Sequence, residues 1–415
     1  MDRTILHCDM NSFFANVELL EHPELAGLPV AVSGSPADRH GIILARNQKA
    51  KLCGVKTAET IFQARKKCPN LRLLPAHHDK YERYCGIINS IYLRYTDMVE
   101  PFSIDESWLD ISASLKYFGK DGRQIADEIR QVVRSETGLT LSVGVSYNKI
   151  FAKMGSDYKK PDATTVISRE NYRQLLWPLP ASEMFFVGRK TADRLASMGI
   201  ETIGDIAVAD PKLLEVALGK QGLEIYRFSN GLDDSEVARY TDQRECKSVG
   251  NGMTFRRDLK GREDVRTAVT SLSDKVSARL RKQGLYASGV KVDIKNPQFC
   301  TITRQMQLER ATDSGAQLAA AAMELIDRNW RYSDPIRLLT ITGINISAGE
   351  PEEQISMFAC EEDTKEKYKA IDSAVDSIRS KYGRHSIMQA ALIGNDLGIS
   401  YKNSKGEDIV DEEEK

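Results

Sequence analysis

Four acidic residues in two short stretches constrain this chain most. Asp9 ends an apolar run of Thr-Ile-Leu-His-Cys, and Asp105, Glu106 and Asp110 lie within the stretch 103–110. Carboxylates at the ends of buried strands are costly unless positive charge compensates them. Two divalent metal ions supply such charge, and two-metal sites catalyse phosphoryl and nucleotidyl transfer. The pattern therefore predicts a catalytic carboxylate site, with a solvated hairpin end as the alternative interpretation.

The position of a hairpin bend decides which of these carboxylates can act together. An ideal strand points Asp105 and Glu106 to opposite faces of the sheet. Both side chains reach one site only where the chain bends, so we expect a strand that begins near Glu106. Asp110 then lies too far along that strand and falls outside the site.

Length and composition favour a multidomain protein of a reducing compartment. A chain of 415 residues corresponds to about three domains at roughly 150 residues each. There is no run of about 18 apolar residues, so no membrane span is expected, and the N-terminus lacks the shape of a signal peptide. The seven cysteines form no C-x-x-C pair, which favours reduced thiols in a cytosol over disulfides or a zinc site.

The charge distribution indicates a phosphate-binding module. The net charge is −1, but a basic excess at 241–346 is offset by an acidic excess at 347–415. A basic module is the usual electrostatic footprint of a nucleic-acid binder. Ordinary fluctuation of surface charge is the alternative interpretation.

Hydrophobic periodicity indicates an α+β chain. Strand-like apolar runs occur at 139–145, 289–294 and 338–344, and helical patterns occur at 81–95 and 265–282. Regions that mix strands and helices thus lie on both sides of a helical segment at 170–235. This arrangement predicts more than one folded unit.

Several motifs, taken in order, resemble those of the Y-family DNA polymerases, the translesion group. The motifs lie at 9–18, 103–110, 142–149, 151–154 and 247–250. The resemblance implies an α+β right-hand polymerase with a ferredoxin-like palm, small fingers, a helical thumb with a helix-hairpin-helix motif, and an α+β little finger. The implied domains are the palm at 1–20 and 76–165, the fingers at 21–75, the thumb at 166–235, a linker at 236–246, the little finger at 247–346, and an acidic C-terminal tail at 347–415.

The resemblance assigns metal ligands to the carboxylates. Asp9, Asp105 and Glu106 match the family's ligands, and Met10 would lend its backbone carbonyl. Hard divalent ions such as Mg²⁺ prefer oxygen ligands of this kind. Two Mg²⁺ ions are implied, at roughly 3.5–4 Å separation. One would lower the pKa of the attacking primer hydroxyl, and the other would neutralise charge on the leaving pyrophosphate.

The same resemblance implies a nucleotide site. Phe14 matches the steric gate, a ring that would clash with a ribose 2′-hydroxyl, and Phe13 is implied to lie beside it. The alternative for Phe14 is a core position, since Phe13, Val17 and Leu20 form an apolar helical stripe. Lys160 matches the family's triphosphate-contacting lysine and can serve as a point charge for phosphate.

The fingers depart from the family pattern. Gln48 stands where the family often has tyrosine, and Lys51 stands where it has arginine. Lys51 keeps the charge but lacks the bidentate fork of a guanidinium. We therefore expect a functional but looser grip on the nucleotide, for which the nearby Arg46 is the candidate compensation.

DNA contacts are implied in the thumb and the little finger. Gly188, Arg189 and Lys190 belong to a helix-hairpin-helix-like turn, in which backbone N–H groups approach DNA phosphate, although Phe186 replaces its first glycine. A second such turn lies at 219–222. Plain helix–helix turns are the alternative. In the little finger, the implied duplex contacts include Arg256 and Arg257, which would position the DNA without reading sequence.

The acidic tail carries a peptide that resembles the bacterial sliding-clamp (beta) motif. Its glutamine is Gln354 and its hydrophobic pair is Met357 and Phe358, which would anchor in an apolar pocket. An amphipathic helix follows at 368–382 with Gly383 as its C-cap. This helix is too short for a lasting coiled coil and is expected to dock on the body or on a partner.

Together these features predict a template-directed, low-fidelity DNA polymerase for translesion synthesis and DNA repair. It would use primer–template DNA, dNTPs and a sliding clamp, lack proofreading, act as a monomer, and reside in a bacterial cytoplasm at the nucleoid when engaged. The rival interpretations are a non-catalytic, polymerase-shaped adaptor and a two-metal nuclease. The retained carboxylates disfavour the adaptor, and the lysines implied at a triphosphate disfavour the nuclease.

Overall fold

A computed structural model describes residues 2–34, 41–242, 245–349, 362–383 and 386–399. The chain forms two compact units, one ending near residue 243 and the other comprising mainly the residues after it. None of the described helices combines the length and the apolar character that crossing a membrane requires. Each of the described cysteines carries a free thiol.

The palm is a five-stranded sheet packed against helices. Its strands, in the order β5-β6-β1-β7-β8 across the sheet, are β1 (Ile5–Met10), β5 (Val99–Pro101), β6 (Glu106–Asp110), β7 (Leu141–Ser146) and β8 (Thr164–Ile167). Its helices are α1 (Phe13–Glu21), α4 (His78–Tyr92), α5 (Leu115–Phe118), α6 (Gly122–Thr137) and α7 (Lys149–Tyr158). Every residue of β1 and β7 is buried, which explains why these central strands read as apolar runs.

The fingers form a small sheet with a hydrophobic core of their own. The three strands, in the order β3-β2-β4, are β2 (Val30–Ser33), β3 (Ile43–Arg46) and β4 (Arg72–Pro75), with helices α2 (Gln48–Leu52) and α3 (Ile61–Lys67). This core is distinct from that of the palm and includes Ala31, Ile43, Ala50, Val55 and Ala64.

The thumb is helical, as the resemblance implies. Its helices are α8 (Tyr172–Leu176), α9 (Arg189–Ala196), α10 (Ile203–Val208), α11 (Pro211–Leu218) and α12 (Lys220–Ser229). The segment after it stays with the first unit, because Lys149 Nζ donates to the carbonyl of Glu236 and Glu100 accepts from the amide of Ala238. Val237 is buried beside Trp108. The first residues of the predicted linker at 236–246 are therefore packed rather than free.

The second unit contains the little finger, an antiparallel sheet covered by two helices. Its strands, in the order β11-β10-β12-β9, are β9 (Ser248–Leu259), β10 (Leu285–Lys295), β11 (Thr301–Thr312) and β12 (Ile336–Ala348), with helices α13 (Gly261–Lys282) and α14 (Gly315–Asn329). The expected strands at 289–294 and 338–344 and the helix at 265–282 lie within longer elements. The overall class is α+β, as predicted.

The described part of the acidic tail folds onto this second unit. Leu392, Leu397 and Ile399 are buried in the same hydrophobic core as the little-finger residues. The amide of Arg256 donates to the carbonyl of Leu397 at 2.9 Å, so the tail also covers backbone of β9. Residues 354–358, the predicted clamp-binding peptide, lie outside the described residues.

Helix α15 (Glu362–Tyr382) includes the expected tail helix and contacts the little finger through charged side chains. Arg281 Nε donates to Asp376 at 2.5 Å and Arg281 Nη1 lies 3.3 Å from Asp372. Ile378 and Tyr382, members of the predicted apolar stripe, remain 36% and 66% exposed. Of the two expected docking places, the body and a partner, the structure shows the body, and the contact is made by charged side chains.

Removing these two carboxylates will loosen α15. In the double substitution Asp372→Asn/Asp376→Asn, Arg281 loses its charged acceptors on the helix, and such hydrogen bonds contribute about 1.5–3 kcal/mol. We expect amide hydrogen exchange across 370–382 to accelerate at least about tenfold. Ser373→Ala, an exposed change on the same helix, is the control. Equal protection in the double variant and the control contradicts an electrostatic attachment.

Candidate active site

The two acidic stretches meet through the register of neighbouring strands. In the antiparallel pair of β1 and β6, Asp9 lies directly opposite Glu106. Asp105 sits in the turn before β6, and its carbonyl accepts from the amide of Met10 at 3.0 Å. Asp110 lies at the other end of the same ladder, opposite Ile5. The bend and the strand start at Glu106 are therefore those expected, and Asp110 is remote from the group.

Lysine side chains neutralise these carboxylates. Lys153 Nζ lies 3.0 Å from both Asp9 Oδ2 and Glu106 Oε1, and Lys160 Nζ lies 2.7 Å from Asp9 Oδ2. Burial raises the pKa of Asp9, although both lysines oppose the shift. Burial also raises the pKa of Asp105. The pKa of Glu106 is lowered despite burial, because His7 and Lys153 favour its charged form.

This donor set suits a divalent cation. Within the described residues, no three acidic, histidine or cysteine side chains are close enough together to hold a metal ion as a group. The Asp9 carboxylate nevertheless holds two ammonium groups within hydrogen-bond distance, so its surroundings already favour positive charge. Carboxylate oxygens with one backbone carbonyl are the ligands that hard divalent ions prefer. Asp9, Asp105, Glu106 and the Met10 carbonyl therefore fit such an ion.

Sequence analysis missed two residues of this site, Lys153 and His7. His7 is fully buried, its Nδ1 lies 2.8 Å from Ser156 Oγ, and its Nε2 lies 3.6 Å from Glu106 Oε2. Because strand side chains alternate with period two, His7 shares a face with Asp9, a signal available in the sequence. Lys153 was visible only as part of a motif, since its target carboxylates lie on other elements.

One cleft of 410 Å³ brings together the predicted metal and nucleotide residues. Its lining includes Asp9, Met10, Phe13, Phe14, Gln48, Lys51, Asp105, Glu106 and Lys160. Leu44, Ala45, Arg46 and Thr57 of the fingers line it as well. Palm carboxylates and fingers side chains thus line the same volume.

Phe14 lines the cleft and also packs against the palm core. Phe13 and Val17 are buried, with 3% and 1% exposure, whereas Phe14 is half-buried. The Phe14 ring stacks on Tyr81, with centroids 4.0 Å apart and planes 9° apart. A ring held flat in this way is a fixed wall, which is the property a steric gate needs.

The two thumb turns contact each other, and one of them has a strained position. Gly188 precedes α9 as its N-cap residue, and Arg189 and Lys190 are exposed. Phe186, at the place of the first glycine, has φ +70°, a conformation that is a genuine outlier for a bulky residue. Gln221 Nε2 of the second turn donates to the Phe186 carbonyl at 2.7 Å, so the two turns are joined.

Glycine at position 186 will relieve this strain. Phe186→Gly and Phe186→Ala both remove the ring, which packs 4.2 Å from Phe185, but only glycine adopts positive φ freely. We expect the glycine variant to be more stable than the alanine variant by about 1 kcal/mol. Native-state hydrogen exchange of the α9 amides measures the difference. Equal stability of the two variants contradicts strain at this position.

Arg257 of the little finger is engaged by acidic residues of the second unit. Arg257 Nη1 lies 2.5 Å from Asp264, and Arg257 Nε lies 2.6 Å from Asp396 of the tail. Arg256 contributes its amide to the tail contact described above. A DNA phosphate that reaches Arg257 therefore competes with two carboxylates.

Comparisons with known proteins agree with these features. The impB/mucB/samB family matches residues 8–157, its C-terminal domain matches 246–357, and the DNA polymerase-iota thumb domain matches 186–233. The DNA polymerase IV of Acetivibrio thermocellus is 42% identical over 400 residues, covering 96% of this chain and 100% of that protein. DNA polymerase IV 1 of Bacillus subtilis is 35% identical over 414 residues, covering 100% of this chain and 99% of that protein.

A solved structure supports the same fold. A Y-family DNA polymerase chimera superposes with a TM-score of 0.74 and 22% identity, covering 83% of this chain and 100% of the chimera. Full-length similarity, the family domains and the carboxylate pair across β1 and β6 all point to one group. The chain belongs to the impB/mucB/samB group, the Y family of DNA polymerases.

Proposed function

We propose that this chain extends a DNA primer across damaged or distorted templates by two-metal nucleotidyl transfer, with low fidelity and without proofreading. DNA-directed DNA polymerase activity, DNA binding and a role in DNA repair accompany membership of the family. The single observation that carries the finer proposal is the cleft in which Asp9, Asp105 and Glu106 face the fingers. An adaptor without catalysis has no use for a buried Asp9 and a half-buried Glu106 whose charges Lys153 compensates.

Divalent metal use follows from the family, and we propose two Mg²⁺ ions. Asp9, Asp105, Glu106 and the Met10 carbonyl would hold them. When bound, they supply charge neutralisation and an acidified primer hydroxyl. The chain's own part is to fix the carboxylates through backbone register and to place Lys160 beside Asp9, where it can meet a phosphate oxygen.

The nucleotide and the DNA are held by separate elements. Phe14 forms a wall that excludes a ribose 2′-hydroxyl, and Gln48, Lys51 and Lys160 contact the triphosphate. The turn at Gly188 offers backbone N–H groups at a helix N-terminus, where phosphate binds readily. Arg189 and Lys190, with Arg256 and Arg257 of the little finger, would contact phosphates without reading the bases.

A sliding clamp is the proposed protein partner. The peptide Gln354 to Phe358 carries the glutamine and hydrophobic pair of a clamp motif, and it follows the little finger in the sequence. We propose a monomer that acts in the bacterial cytoplasm, at the nucleoid when engaged. Its bacterial relatives support this location.

Primer extension tests the proposal. Wild-type protein is supplied with an undamaged primed template, Mg²⁺ and four dNTPs, beside the double variant Asp105→Ala/Glu106→Ala. We expect extension by the wild type only, and no 3′→5′ removal of a mismatched primer end. Absence of wild-type extension, with DNA binding intact and clamp present, would replace the polymerase by an adaptor.

A further inference from the structure

We propose that Arg46 binds the triphosphate of the incoming dNTP and supplies the guanidinium that the fingers lack at Lys51. This inference rests on the proposed function, because it assigns a further residue to the same cleft. It follows that the departures from the family pattern at Gln48 and Lys51 move a triphosphate contact to Arg46 and do not weaken nucleotide binding.

Strand pairing and a helix cap fix the backbone position of Arg46. Arg46 is the last residue of β3, paired with Ala31 of β2. The next residue, Asn47, caps α2 through its side chain, which accepts from the amide of Ala50, and it also accepts from the amide of Val30 at 3.0 Å. Arg46 is therefore held between a sheet and a capped helix, shortly before Gln48 and Lys51.

The guanidinium of Arg46 is held in one orientation, but not all of its hydrogen-bond donors have a partner among the described residues. Nη1 donates to Thr57 Oγ1 at 2.6 Å, and both side chains line the active-site cleft. Nε is buried, yet it has no hydrogen-bond partner among the described residues. Buried donors are almost always satisfied in folded proteins. The guanidinium therefore keeps donor capacity beyond its bond to Thr57, and Arg46 lines the cleft in which a ligand can use that capacity.

The charge of Arg46 is also not neutralised by any acidic side chain among the described residues. Asp9 and Glu106 are paired with Lys153 and Lys160, and Asp105 accepts from Ser103, whereas no ion pair between described residues involves Arg46. Thr57 is neutral, so it orients the guanidinium without neutralising it. An oriented, unneutralised fork suits phosphate oxygens, which guanidinium binds in bidentate fashion. A triphosphate is the anionic ligand that this cleft receives in the proposed reaction.

Lys49 provides a matched control in the neighbouring helix α2. Its Nζ donates to the carbonyl of Gly27 at 2.7 Å, and it is not among the residues that line the cleft. Removing Lys49 therefore removes one positive charge from the fingers without touching the proposed site. A general electrostatic contribution of the fingers would affect both variants, whereas a direct contact affects Arg46 alone.

Steady-state incorporation on primed DNA tests the assignment in Arg46→Ala, Arg46→Lys and Lys49→Ala. For Arg46→Ala we expect KM for each of the four dNTPs to rise about tenfold or more, which corresponds to about one charge-assisted hydrogen bond, with kcat nearly unchanged. Arg46→Lys restores part of the loss, and Lys49→Ala behaves as wild type. Thr57→Val, which removes the orienting acceptor, raises KM by a smaller factor.

Inorganic tripolyphosphate separates phosphate binding from base contact. As a competitive inhibitor it should bind Arg46→Ala about tenfold more weakly than wild type, the same factor as one charge-assisted hydrogen bond. Unchanged inhibition, or a KM effect confined to particular bases, overturns the triphosphate assignment. So does equal loss in Lys49→Ala. If the wild-type protein extends no primer, the proposed function itself is wrong. If the wild type is active but Arg46→Ala has the wild-type KM, only the assignment of Arg46 is wrong.

Discussion

Replacing Asp105 by asparagine will reduce the rate of primer extension by roughly a thousandfold. A bound metal removes several kcal/mol from the barrier of phosphoryl transfer, and each 1.36 kcal/mol is a factor of ten. The asparagine amide retains an oxygen that can accept from Ser103 Oγ, as Asp105 Oδ1 does at 2.7 Å, so the turn is kept. Because burial raises the pKa of Asp105, removing its charge does not reduce stability. Single-nucleotide incorporation under saturating dNTP measures the loss.

Asp110→Asn is the control on the neighbouring strand β6. Asp110 Oδ1 accepts from the amide of Ser112 at 2.9 Å, a local contact at the end of β6 far from Asp9. Incorporation by this variant should equal that of the wild type, while DNA affinity is unchanged in both. If Asp105→Asn retains more than about a tenth of wild-type activity, a loss of less than one factor of ten, Asp105 is not a metal ligand.

Shortening Phe14 to alanine will admit ribonucleotides. The ring stacks on Tyr81 and cannot retreat without losing that contact, so a 2′-hydroxyl meets a fixed surface. Overpacking costs of about 1–3 kcal/mol correspond to a discrimination of up to roughly a hundredfold. We expect the ratio of kcat/KM for dCTP over CTP to fall by about that factor.

Leu20→Ala is the corresponding control for Phe14. Leu20 lies on the same helix, is 38% exposed, and does not line the cleft. Its sugar discrimination should match the wild type, which separates loss of a gate from loosening of α1. If the kcat/KM ratio of dCTP over CTP is unchanged in Phe14→Ala, Phe14 has a packing role and another residue excludes the ribose 2′-hydroxyl.

Each half of the carboxylate site could be predicted because each is a short motif, a strand end at Asp9 and a hairpin bend at Asp105 and Glu106. That the two halves meet was implied by the resemblance, since they come together through the pairing of β1 with β6. Gln48 and Lys51 were assigned to the nucleotide site by the resemblance to the family, and both line the cleft. Phe186 was recognised as anomalous because glycine was expected there, and its positive φ gives the physical reason.

Long-range pairings were harder to predict. Lys153 reaches two carboxylates on different strands, and His7 approaches Glu106 across the ladder, so neither partner is apparent from a linear pattern. The tail helix was expected to dock on the body or on a partner, and its sequence did not decide between them. In the structure Arg281 of the little finger binds its acidic face through Asp372 and Asp376. Side-chain periodicity shows which faces a helix has, not which one a neighbour selects.

The separate core of the fingers has a consequence for how such an enzyme can change over evolutionary time. The catalytic carboxylates are set by strand pairing in the palm, whereas Arg46, Gln48 and Lys51 rest on a small sheet with its own hydrophobic core. Mutations that alter substrate affinity can therefore accumulate without disturbing the reacting atoms. Natural selection can therefore change the fingers without changing the chemical step. The same holds for engineering that aims at the acceptance of modified nucleotides.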